Sequence, residues 1–123
     1  MGNNQLPTIL KRQSDFQNLK NKGQRVFPCH WMIVNYTSSE TGETRYGWTI
    51  SKYVGNAVAR NRFKRWCREF IRHNSEALEN SHLDVNFVLR KKDKDFYKQL
   101  SHQDFQTCFE TAFLKLKKRS AVT

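Results

Sequence analysis

Between Asn56 and Arg72 the chain reads NAVARNRFKRWCREFIR. Set at about 100° per residue, Ala59, Phe63, Trp66, Cys67 and Phe70 gather on one face of a helix. Arg60, Asn61, Lys64, Arg65, Arg68 and Arg72 gather on roughly the opposite face, with Arg62 and Glu69 on a flank. One face must therefore pack while the other is cationic, and Asn56, following Gly55, is suited to cap the helix start.

The partners for the packing face come from the rest of the chain. HWMIVNYT (30–37) is rich in β-branched and aromatic residues, and RYGWTIS (45–51) alternates Tyr46, Trp48 and Ile50 against Arg45, Gly47 and Thr49. The polar SSETGE between them, with Gly42, reads as a hairpin turn. A short strand at Gln24–Phe27 and the alternating LDVNFVLR (83–90) bring the expected strands to four. Ser14, with Gln17 three residues on, suggests a capped helix over 14–22 that ends at Gly23. After Ser101 the stripe Phe105, Cys108, Phe109, Ala112, Phe113 and Leu116 predicts a core-facing final helix, with Cys108 as a small buried hydrophobe. The pattern is an α+β sandwich, α-β-β-β-α-β-α, with one mixed four-stranded sheet in a single domain over 1–123. Its ordered core is expected at about 8–117, between a loose polar start and a basic, fraying end from Lys115.

Charge narrows the partner. The 123 residues hold 22 Lys and Arg against 11 Asp and Glu, a formal charge of +11, so a polyanion is the first partner to consider. A membrane is not expected: the longest uncharged stretch, Val26–Ser39, is short and interrupted by Pro28, His30, Asn35 and Thr37. No basic and apolar signal opens the chain, which makes a cytoplasmic location the default. Cys29, Cys67 and Cys108 are odd in number and far apart, and neither a disulfide framework nor a zinc finger is expected. His30, His73, His82 and His102 lack metal-ligand spacing and read as surface histidines.

The cationic helix face carries a cost. Arg60/Lys64, Lys64/Arg68 and Arg68/Arg72 are like-charge i,i+4 pairs, each destabilising by about 0.2–0.5 kcal/mol. Arg60 and Arg62 also sit near the positive end of the helix dipole. A merely solubilising face would intersperse acids, yet Glu69 is the only one from 57 to 72. Phosphates laid on this face turn the repulsions into charge-assisted contacts, and the planar forks of Arg60, Arg62, Arg65 and Arg68 suit RNA.

SKYVGNAVARNRFKRWCRE (51–69) resembles, without a gap, the signature of the bacterial ribonuclease P protein family, Ser-Lys-Lys-x-Gly-x-Ala-Val-x-Arg-Asn-Arg-x-Lys-Arg. SDFQNLKNKG is similar to that family's first helix, RYGWTIS to its strand before the signature, and LDVNFVLRKK to its later strand with a basic pair. The resemblance implies a left-handed β-α-β crossover, where general rules favour the opposite hand. It also implies the protein subunit of a ribonucleoprotein endonuclease that removes the 5′ leader from precursor transfer RNA. Catalysis would then belong to the RNA subunit with Mg²⁺ held mainly by that RNA, and no protein side chain would be catalytic.

The partners implied are the catalytic RNA and precursor transfer RNA, with no obligate protein partner. Arg60, Asn61, Arg62, Lys64, Arg65 and Arg68 match the helix that contacts the catalytic RNA. A cleft between the sheet and this helix is implied for the leader, where Phe16 matches a stacking aromatic, Lys52 a basic edge position, and Arg90 and Lys91 the basic pair. Trp31 is a further candidate, although sequence does not fix which face of its strand it occupies, and Phe16 reads equally as a core residue. Tyr53 replaces a second Lys of the pattern, and Lys20 stands where a second aromatic often follows Phe16, which points to leader contacts that are more ionic and less stacked. Charge and architecture alone are also compatible with a general structured-RNA-binding or ribosomal-type protein. A self-sufficient nuclease would need clustered carboxylates, and Asp93/Asp95 on a Lys-rich loop read better as a turn and cap.

Overall fold

The computed structural model describes residues 6–121. The elements run β1 (Thr8–Ile9), α1 (Gln13–Lys22), β2 (Gln24–Cys29), β3 (Met32–Ser38), β4 (Arg45–Thr49), α2 (Ala57–Asn74), β5 (Leu83–Leu89), α3 (Phe96–Gln99) and α4 (His102–Ala121). Single 3₁₀ turns at Lys52–Val54 and Ser75–Leu78 flank α2. The four expected strands form, and the two-residue β1, too short to alternate visibly, adds a fifth. Expected Met1–Gln5 looseness lies outside the described residues, as do Val122 and Thr123.

The sheet order is β1-β4-β5-β3-β2. Antiparallel β2·β3 and β3·β5 pairs meet parallel β4·β5 and β1·β4 pairs, so the sheet is mixed and β5 is central. The register sorts side chains into rows. Tyr36, Val85 and Tyr46 lie abreast on one face, while Asn35, Asn86 and Gly47 lie abreast on the other. Gly42, at φ 78°, takes the left-handed conformation that turns β3 into β4.

The apolar face carries α2 and α4. Phe63, Phe87, Phe105 and Phe109 are fully buried there, with Phe105 stacked on Phe63 at 5.8 Å and Phe109 against Phe87 at 4.6 Å. Asn56 caps α2 as expected, accepting from the Ala59 N–H at 2.9 Å. Ile71 joins Phe63, Cys67 and Phe70 on the buried stripe. At α1 the cap differs: the helix starts at Gln13, Arg12 is the N-cap, and Ser14 stays exposed without capping it. The final helix also outruns its expected end near Leu116. Arg119 reaches the Tyr36 hydroxyl at 3.5 Å and Ser120 the Ser81 hydroxyl at 3.0 Å, which ties the last turns down. Among the described residues no helix is long and apolar enough to cross a membrane.

On the polar face α1 lies across the sheet because Gly47 lets it approach. A Cβ built at Gly47 would stand 2.7 Å from the Phe16 ring. Arg45 adds a forked pair to Asp84, Nε–Oδ1 2.8 Å and Nη2–Oδ2 2.7 Å, and a longer one to Asp15 of α1 at 3.6 Å. The hydrogen bonds to Asp84 hold the Arg45 guanidinium pKa above its ordinary value.

One expectation is overturned. Cys29 and Cys108 form a disulfide, their Cα atoms 6.1 Å apart across 79 positions of sequence. Spacing rules see only local pairs, whereas the contact of β2 with α4 brings these two together. Cys67 remains free and buried, and desolvation pushes its thiol pKa well above the usual range.

Two outcomes test this packing. Gly47→Ala should cost about 1–3 kcal/mol in denaturant unfolding with Phe16 present, and clearly less in a Phe16→Ala background. Equal costs in both backgrounds would remove the close approach as the cause. In oxidised protein a thiol reagent should find no reactive cysteine when folded and Cys67 alone in denaturant; two further thiols appearing without reductant would contradict the bridge.

Candidate nucleic-acid interface

The α2 ridge forms as its sequence pattern requires. Asn61, Arg65, Arg68 and Arg72 are exposed, and Arg60 and Lys64 are half-buried beside them. Arg60 folds back toward the helix start, donating from Nε to the Gly55 carbonyl at 3.2 Å. Arg65 stands 3.9 Å from Glu69, an exposed pair too weak to tie up the guanidinium. Arg62 behaves differently from the rest. Its guanidinium lies over the Phe63 and Trp66 rings at 5.1 and 5.3 Å, and its buried Nε has no hydrogen-bond partner. It covers the aromatic face as much as it adds charge to the ridge.

The cleft lies elsewhere than expected. Its floor is the polar sheet face and its wall is α1, not α2, enclosing about 570 Å³. Phe16 and Trp48 are its aromatic lining, Lys20 and Arg25 its cationic lining, and Asn35, Asn86 and Thr49 its polar floor. Asn86 Nδ2 donates to Thr49 Oγ1 at 3.0 Å, while the buried Asn35 Oδ1 has no hydrogen-bond partner. The α2 ridge borders this groove through Arg68, whose guanidinium sits 5.9 Å from the Trp48 ring.

The remaining basic candidates collect at one end of the sheet. Parallel β4 and β5 both end there, pairing Thr49 with Val88 on the groove floor. Lys52 follows β4 and is exposed; Lys91 follows β5 and places its ammonium 5.5 Å over the Tyr53 ring. Arg90 is exposed beside them, its Nη1 donating to the His30 carbonyl at 3.3 Å. Lys52, Arg90 and Lys91 thus stand past the strand ends and do not line the groove itself.

Trp31 is a correction. It is 4% exposed, stacks on Phe105 at 5.7 Å and meets Tyr97 edge-on at 6.4 Å. The residue sits in the β2–β3 turn, just before β3, and turns to the α4 side, where an aromatic cluster receives it. It supports the interface indirectly, since its carbonyl accepts from the Arg90 N–H at 2.9 Å.

Lys20, read from the sequence as an ionic contact beside Phe16, does line the groove, whereas sequence reading missed Arg25, Asn35, Trp48, Thr49 and Asn86. A signal existed for two of them. Asn35 and Asn86 are lone amides in apolar strands, and a buried amide needs a reason. Asp93 and Asp95 lie where the sequence suggested a turn and cap. The Asp93 carbonyl accepts from the Phe96 N–H at 3.0 Å, and Asp95 pairs with Lys98 at 3.5 Å, which makes them a turn at the start of α3. Among the described residues no three metal-ligating side chains gather.

An arginine-rich helix edge joined to an aromatic and amide-lined groove suits a phosphate backbone on the first and unpaired bases in the second. Comparison with known proteins identifies the family. The family model for Ribonuclease P matches residues 7–117. The ribonuclease P protein component of Fusobacterium nucleatum is 32% identical over 108 residues, covering 88% of this chain and 96% of that one. The same component of Geobacter sp. strain M21 is 36% identical over 112 residues, covering 91% and 90%. The solved RNase P protein of Staphylococcus aureus superposes with a TM-score of 0.74 at 27% identity, over 89% of this chain and 94% of that one. The chain belongs to the ribonuclease P protein family, as the protein component of that endoribonuclease.

Proposed function

We propose that the protein holds the catalytic RNA with the α2 ridge and the 5′ leader of precursor transfer RNA in the α1 groove, and so promotes Mg²⁺-dependent removal of the leader. The observation that carries this reading is the joining of the two surfaces at Arg68 and Trp48, which would let one protein hold both RNAs side by side. Family membership brings the association with the ribonuclease P RNA; the groove supplies the support for the leader.

The roles divide by chemistry. Arg60, Asn61, Lys64, Arg65 and Arg68 supply forked and point charges for phosphates of the catalytic RNA, with Arg62 packed behind them. In the groove Phe16 offers a ring face to an unpaired base, and Lys20 and Arg25 hold the backbone. Lys52, Arg90 and Lys91 continue the positive field where the strands end. Mg²⁺ would be held mainly by the RNA subunit and would supply charge stabilisation there, so no protein side chain is given that role. The protein's contribution is to place the substrate and lower the repulsion between two polyanions.

Two substitutions separate the surfaces. Arg65→Ala with Arg68→Ala should weaken assembly with the catalytic RNA and lower the slope of log affinity against log salt by about 1–2. An unchanged slope would remove these residues from the RNA contact. Phe16→Ala should cost about 1–3 kcal/mol in binding a substrate with a leader and spare a leaderless mimic. Equal losses on both would mean that Phe16 matters only for holding α1 on the sheet.

A further inference from the structure

Where β2 meets the C-terminal half of α4 lies a second depression, about 430 Å³, that the ridge and groove do not account for. Arg25, Val26 and Phe27 line it from β2; Lys115, Lys118 and Arg119 line it from α4. Four of these six side chains are cationic and none is acidic, so the site attracts an anion along its length. Phe27 stands among them 55% exposed, although large apolar side chains at a sheet edge are normally covered.

The two depressions are continuous in one respect that decides the occupant. Arg25 lines both, so β2 is a sill between them, with the α1 groove on one side and α4 on the other. Phosphates leaving the groove at Arg25 meet Lys115 and Lys118 next. An exposed phenyl ring suits the face of an unpaired base, which a stacked duplex does not offer. The Cys29–Cys108 bridge ties β2 to α4, the two walls of this depression.

We propose that the distal part of the 5′ leader crosses the β2 sill at Arg25 and continues along α4, one base stacking on Phe27 and the backbone lying on Lys115, Lys118 and Arg119. The inference rests on the α1 groove being the proximal leader site. It extends the bound leader beyond the groove and makes affinity depend on leader length.

The test uses holoenzyme reconstituted with its catalytic RNA and three substrates: leaderless, with a leader of about 5 nucleotides, and with one of about 15, all unpaired. Wild type should bind the long-leader substrate about five- to tenfold tighter than the short. Phe27→Ala, and separately Lys115→Ala with Lys118→Ala, should abolish that gain and leave the short-leader, leaderless and catalytic-RNA affinities unchanged. Arg119 is left intact because it also contacts Tyr36. Equal losses on short and long leaders, weakened assembly with the catalytic RNA, or no loss at all would overturn the proposal. If wild type prefers the short leader over none but gains nothing from the long one, only this extension fails. If it does not distinguish the short leader from none, the groove reading fails with it.

Discussion

The α2 ridge and the α1 groove are both positioned by the register of β5 between β3 and β4. Because side chains alternate, that register sends Val85, Phe87 and Leu89 into the aromatic core and Asp84, Asn86 and Val88 to the other face. A slip by one residue would bury Asn86 among phenylalanines and unpair Asp84. The forked Arg45–Asp84 contact and the Asn86–Thr49 hydrogen bond hold the pairing of β4 with β5 from the polar side. The same two strands then end together, which gathers Lys52 and Lys91 and starts α2 nearby.

From this frame the two faces acquire different chemistry. The apolar face needs cover, and α2 and α4 provide it with Phe63, Phe70, Phe105, Phe109 and Phe113. Covering it obliges the other side of α2 to face water, so the arginines carry their repulsion in the free protein, and the proposed phosphate contact would release it. The polar face is only partly covered. Gly47 allows the Phe16 ring to lie close, and the remaining width is the groove. A side chain at 47 would lift α1, so the glycine shapes a site it does not touch chemically.

Periodicity made the amphipathic α2, the final helix and four strands legible, because each has enough residues to show its period. The short β1 was not, having only Thr8 and Ile9 to show. The cationic ridge could be read residue by residue, since a helix wheel is local geometry. The groove could not: its floor mixes Asn35, Asn86 and Thr49 from separate strands, and only the sheet order brings them together on one face. Trp31 went the wrong way for a related reason. In a turn between strands its direction is set by the aromatic cluster it meets, not by alternation. The Cys29–Cys108 bridge and the α1 start at Arg12 also depend on contacts outside their own segments.

The central claim is that the α2 ridge and α1 groove let this chain present a leader to a catalytic RNA. The most direct measurement is the rate of 5′ leader removal from a precursor transfer RNA by the catalytic RNA at low Mg²⁺, with and without the protein. Strong stimulation on adding the protein, fading as Mg²⁺ is raised and takes over the screening of the two RNAs, is the expected result. An equal rate with and without the protein at low Mg²⁺ would contradict it.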